Sequence, residues 1–120
     1  MSEWTEEQWC KRYAEESGGA LLKLLPFAVR GLPDRLLLLP RGLVCFVEMK
    51  VLRGDLRPSQ GVWRKRLLRM GMNYAVVRSK ADFLEVCRYL MLGHSIPTSL
   101  QDDRQISLDK LPPRKPRLRL

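Results

Sequence analysis

One histidine, His94, is all the imidazole this 120-residue chain has, and its three cysteines, Cys10, Cys45 and Cys87, lie far apart. A lone histidine beyond the last helical pattern disfavours a histidine-based nuclease, kinase or zinc hydrolase. An odd number of scattered cysteines argues against a disulfide framework and against a Cys-based zinc site. Each is expected to be a small buried hydrophobe in a reducing compartment, the cytoplasm of a cell or of an infected host. No Gly-rich nucleotide loop is present, and no internal repeat is visible. No apolar run approaches the roughly 20 residues that span a bilayer. The opening Met1-Ser2-Glu3-Trp4-Thr5 is polar and acidic, unlike a signal peptide.

Acidic residues are also scarce relative to basic ones. Asp and Glu number 13 against 22 Lys and Arg, a formal charge of +9. So large a charge on one small domain favours a polyanionic partner, nucleic acid first and an anionic membrane surface second. Membrane binding is the weaker choice, because no helix is both basic and free of core duty. Hydrophobic residues make up 45%, enough for one modest core.

Thr5 suits a helix N-cap, with Glu6 and Glu7 in the first turn and an apolar stripe at Trp9, Cys10, Tyr13 and Ala14. Gly18-Gly19 ends this helix, and Leu21 to Leu25 has strand length. Arg35 to Leu39, the turn Pro40-Arg41-Gly42 and Leu43 to Lys50 predict a β-hairpin. Both runs are nearly continuous in apolar residues, so the sheet should be covered on both faces. A helix follows from Pro58 to Gly71, with Val62, Trp63, Leu67 and Met70 inward and Arg57, Arg64, Lys65, Arg66 and Arg69 on the rest. Asn73 to Arg78 reads as a strand. Ser79 caps a last helix that turns Phe83, Leu84, Cys87, Leu90 and Met91 inward and closes at Gly93. This order implies an α/β layer structure, a mixed central sheet flanked by helices, with the helix from 58 as a crossover. Residues 1–94 form the expected domain. Residues 95–120 form a basic, Pro-rich C-terminal tail that should be extended or disordered.

The chemistry concentrates at Asp34, Glu48 and Lys50. The Asp follows Gly31-Leu32-Pro33, and fourteen positions on comes Phe46-Val47-Glu48-Met49-Lys50. Residues two apart on a strand share a face, so Glu48 and Lys50 would stand together on an otherwise apolar strand. A structural salt bridge there would be expensive to bury, which favours a functional site. Asp34 by itself reads as a turn residue accepting backbone hydrogen bonds, and Glu48 with Lys50 turns the balance. Two carboxylates with the main-chain carbonyl of Met49 are the donors Mg²⁺ prefers. A metal ion held there would polarise a phosphodiester and lower the pKa of water, and Lys50 would orient that water or stabilise developing charge. Gln60 could assist with the water or a phosphate, or be an ordinary first-turn helix glutamine. Lys23, Arg30, Arg35, Arg57, Arg64 and Lys65, with Arg66 and Arg69, could meet DNA phosphates; solvated surface charge is the equal alternative. The tail residues Arg114, Lys115, Arg117 and Arg119 could add salt-sensitive affinity, or Leu111, Leu118 and Leu120 could pack on a partner subunit.

These residues, from about 6 to 92, resemble the PD-(D/E)xK nuclease superfamily with its restriction-endonuclease-like core, and more closely a stand-alone VRR-NUC domain. The resemblance rests on Gly18-Gly19 with Lys23, Arg30-Gly31-Leu32-Pro33-Asp34-Arg35, Phe46-Val47-Glu48-Met49-Lys50, Gly54, Ser59-Gln60, Gly71 and Val76-Val77-Arg78-Ser79. It implies a Mg²⁺- or Mn²⁺-dependent DNA endonuclease in a bacterial or phage-infected cell. Asp34 and Glu48 match the metal ligands, Lys50 the catalytic lysine and Gln60 the motif glutamine. The family also has an acid on its first helix; Glu7 fits best, with Glu6, Glu15 and Glu16 competing. Small stand-alone members are similar to Holliday-junction resolvases, which implies a homodimer acting on branched duplex DNA. Two other readings stay open: a non-catalytic DNA-binding module of the same fold, and an RNA-processing nuclease.

Overall fold

The computed structural model describes residues 3–25, 29–50 and 56–101. Helix α1 spans Glu3–Glu16. It opens two residues before Thr5, the expected start. Cys10 and Ala14 are fully buried on its inner face, with Trp9 and Tyr13 partly buried beside them. Strand β1 is shorter than expected, Ala20–Lys23. Gly19 decides how it joins the sheet. A Cβ there would lie 2.0 Å from the Leu38 carbonyl oxygen, so only glycine lets the chain pass that close to its neighbour.

Strands β2 (Arg35–Leu39) and β3 (Leu43–Met49) form the expected hairpin across a 3₁₀ turn at Pro40–Gly42. Helix α2 (Pro58–Arg69) then crosses to β4 (Asn73–Val77), and α3 (Lys80–Met91) closes the layer. Ser79 caps α3 as expected, its hydroxyl accepting from the Asp82 N–H at 3.1 Å. The sheet runs β1-β2-β3-β4 and is mixed: the first two pairings are antiparallel and β3 with β4 is parallel. A parallel pair needs a crossover connection, which α2 supplies.

The period of two along the strands sorts residues between two cores. Leu37, Leu39, Cys45, Val47, Met49, Ala75 and Val77 meet α1 and α3, with Phe83, Val86, Cys87 and Leu90. On the other face Tyr74 and Val76 pack with Leu56 and Leu67, flanked by Phe46 and Trp63. All three cysteines are free and buried, as expected. Cover on the α2 side is only partial, because Leu22 on β1 remains 46% exposed. Four positions expected inside, Val62, Met70, Leu84 and Met91, are exposed.

Arg64 explains the misplaced phase of α2. It shares a face with Leu67 and is wholly buried, and its Nε donates to the Gln101 carbonyl. Gln101 is buried in turn, and its side chain donates to the Ile96 carbonyl at 3.0 Å. Ile96 belongs to the main core. The packed chain therefore runs past the boundary expected at 94, through a 3₁₀ turn at Thr98–Leu100. The Gly54 loop and the tail residues Arg114, Lys115, Arg117 and Arg119 lie outside the described residues. Among the described residues no helix is long and apolar enough to cross a membrane.

Candidate active site

Asp34 immediately precedes β2, and its position is set from both sides. Its carbonyl accepts from the Leu24 N–H at 2.9 Å, and its Oδ1 accepts from the Met49 N–H at 3.0 Å. Arg35 pairs with Val47, so Asp34 stands one step further along, opposite Glu48. Even-numbered side chains of β2 and β3 share a sheet face. That face therefore receives both carboxylates. Met49 turns the other way into the main core, as expected. Lys50 extends the parallel pairing by one bond, its N–H donating to the Val77 carbonyl at 2.8 Å, and is half-buried.

Glu48 is only 4% exposed. Burial, and then the neighbouring Asp34 carboxylate, push its pKa up to about 7; Lys50, Arg35 and Arg57 oppose the rise. No hydrogen bond or ion pair joins its carboxylate to another side chain among the described residues. Burial also raises Asp34, against the Met49 hydrogen bond and the Arg35 charge. The two adjoining, desolvated carboxylates share one ion pair, from Arg35 to Asp34, and a divalent cation would supply the further counter-charge. The donor set thus fits a hard metal ion. Among the described residues no three His, Cys, Asp or Glu side chains converge to hold one. Any such ion would draw on two carboxylates and main-chain or solvent oxygens.

The remaining expected residues divide sharply. Glu7 reaches the site through Arg35: its Oε1 lies 2.9 Å from Arg35 Nη2, and Arg35 Nη1 lies 3.1 Å from Asp34 Oδ2. Glu15 and Glu16 are exposed at the far end of α1. Arg35 is 7% exposed, so its guanidinium is committed to these acids and is not part of an open DNA-facing surface. Arg64 is likewise internal. Lys23, Arg30 and Arg57 are exposed, and Lys65 is half-buried. The Gln60 side chain accepts from the Arg57 N–H at 2.8 Å, an N-terminal capping contact that uses its carbonyl oxygen and leaves the amide nitrogen for other work.

Gly31 joins the Asp34 segment to α2. Its φ is +86°, and a Cβ there would fall 2.3 Å from the Ser59 carbonyl oxygen. This contact sets Arg57 and Gln60, at the start of α2, beside the loop that leads to Asp34. The burial of Arg35, though not its partners, was legible in principle. Its position alternates in phase with the inward-facing Leu37 and Leu39, which places it on the buried face.

A mixed β-sheet with helices on both sides, a strand-start Asp opposite Glu-x-Lys, and a crossover helix define the restriction-endonuclease-like class of nuclease domain. A solved structure described as "VRR_NUC domain" superposes with a TM-score of 0.60 at 32% sequence identity, over 74% of this chain and 94% of that one. The chain belongs to the VRR-NUC family. No protein-family model matches the chain, and no curated protein does.

Proposed function

We propose that this protein is a Mg²⁺- or Mn²⁺-dependent endonuclease that hydrolyses DNA phosphodiester bonds, acting as a homodimer on branched duplex such as a four-way junction. The observation that carries the catalytic part is the hydrogen bond from Met49 N–H to Asp34, which holds that carboxylate opposite buried Glu48 and beside Lys50. Asp34, Glu48 and the Met49 carbonyl would hold the ion, which when bound supplies charge neutralisation and a water of lowered pKa.

The chain's own residues do the rest. The ammonium of half-buried Lys50 stabilises negative charge growing on the phosphate and orients the attacking water. Gln60 offers its amide nitrogen to a phosphate oxygen from the start of α2. Exposed Arg30 and Arg57, on the two segments that meet at the Gly31–Ser59 contact, receive the flanking backbone. The charge of +9 supports a polyanionic substrate.

Junction selectivity and the dimer follow from the family resemblance; a two-fold dimer presents two sites to a two-fold junction. Purified protein with Mg²⁺ should cut a four-way junction in preference to sequence-matched linear and flap duplexes, and light scattering should give twice the chain mass. Equal cutting of all three substrates would remove the junction reading and leave a general nuclease.

A further inference from the structure

Arg35 is the only described residue that joins α1 to the Asp34 carboxylate through ion pairs, and it does so from a nearly buried position. We infer that Glu7 is a positioning residue acting through Arg35 on Asp34, not a ligand of the metal ion. This rests on the metal-dependent reading above.

The geometry carries the argument. Nη2 of Arg35 goes to Glu7 and Nη1 goes to Asp34, so the planar fork is split between two acids on different elements. The backbone beneath it is fixed, because Arg35 pairs with Lys23 on one side and Val47 on the other. A buried guanidinium cannot stay unpaired without large cost. While Glu7 takes one arm, Asp34 meets only the other. With Glu7 gone, both arms have Asp34 as their remaining carboxylate partner, and its Oδ1 is already engaged by Met49. A divalent cation would then compete with a guanidinium for the same carboxylate. Glu7 itself does not complete a three-acid cluster with Asp34 and Glu48 among the described residues.

The test is Mn²⁺ titration calorimetry on the full chain as wild type, Glu7→Ala, Arg35→Met and the double variant, in a double-mutant cycle. Glu7→Ala should weaken Mn²⁺ binding about tenfold, the usual scale for a residue behind a ligand. In the Arg35→Met background the same change should weaken it less than about twofold, leaving only long-range charge. Equal losses in both backgrounds would show that Glu7 touches the ion and would overturn the inference. Should Arg35→Met fail to fold by circular dichroism, Glu7→Gln decides. It keeps an acceptor for Arg35, so it should retain most of the affinity that Glu7→Ala loses; an equal loss would again overturn the inference. Wild type that binds no Mn²⁺ would overturn the metal-dependent reading itself and this inference with it.

Discussion

Asp34 and Glu48 face each other across β2 and β3, one step beyond the Arg35–Val47 pair, and the Asp34 charge adds to burial in making Glu48 harder to ionise. This pairing costs stability in the metal-free protein, which makes it measurable apart from catalysis.

For Glu48 the native pKa, about 7, stands above the ordinary 4.5. The native state then holds a proton that the unfolded state has lost, so stability falls as pH rises from 4.5 through about 7. A shift of this size amounts to about 3 kcal/mol. Glu48→Gln should therefore raise the melting temperature of metal-free protein at pH 8 and flatten its decline between pH 5 and 8. Thermal melts across that range check it; a lower melting temperature for Glu48→Gln at pH 8 would contradict it.

Lys50 anchors its backbone to β4 through Val77 while its side chain stays half-buried beside Glu48. Lys50→Ala should lower cutting at least about a hundredfold, the scale of one lost charge-stabilising group. Affinity for junction DNA in Ca²⁺ should change little. Cleavage assays with parallel gel-shift titrations read both quantities.

Two arginines of one helical segment should behave differently. Arg64 is sealed inside and ties α2 to Gln101, so Arg64→Ala should destabilise by roughly 2–4 kcal/mol. The salt dependence of DNA binding should not change. Arg57 is exposed at the start of α2, and Arg57→Ala should lower the salt slope by about one with little change in stability. Denaturant melts and binding at several salt concentrations separate them.

Gly31→Ala meets two penalties at once, a positive φ and a Cβ 2.3 Å from the Ser59 carbonyl oxygen. The cost should be about 1–3 kcal/mol. Because the start of α2 must shift away from the Asp34 loop, cutting should also fall at temperatures where the variant is folded. Melts paired with cleavage rates at one low temperature check both parts.

Much of this was legible in the sequence for physical reasons. The hairpin followed from two apolar runs across a Gly-containing turn, the crossover from Pro58, and the α3 cap from Ser79. Asp34 and Glu48 met because strand periodicity and register leave them no other face. What stayed hidden involved charges with internal partners. Arg64 reads as one of several surface bases, since nothing local reveals that Gln101, far along the chain, returns to meet it. The same partner carries the packed chain past 94. With Arg64 on the buried face of α2, Val62 and Met70 fall on its exposed side. Glu7 could be favoured among the first-helix acids, but its link to Asp34 passes through Arg35, a contact that spacing does not reveal.

The most direct measurement is cleavage of a four-way DNA junction in Mg²⁺ by wild type beside Asp34→Asn. The substitution keeps an acceptor for the Met49 N–H and removes the charge. The account requires cutting by wild type that disappears when the metal is chelated, and a folded Asp34→Asn protein that binds the junction and does not cut it. Undiminished cutting by folded Asp34→Asn, or wild-type cutting that survives chelation, would contradict it.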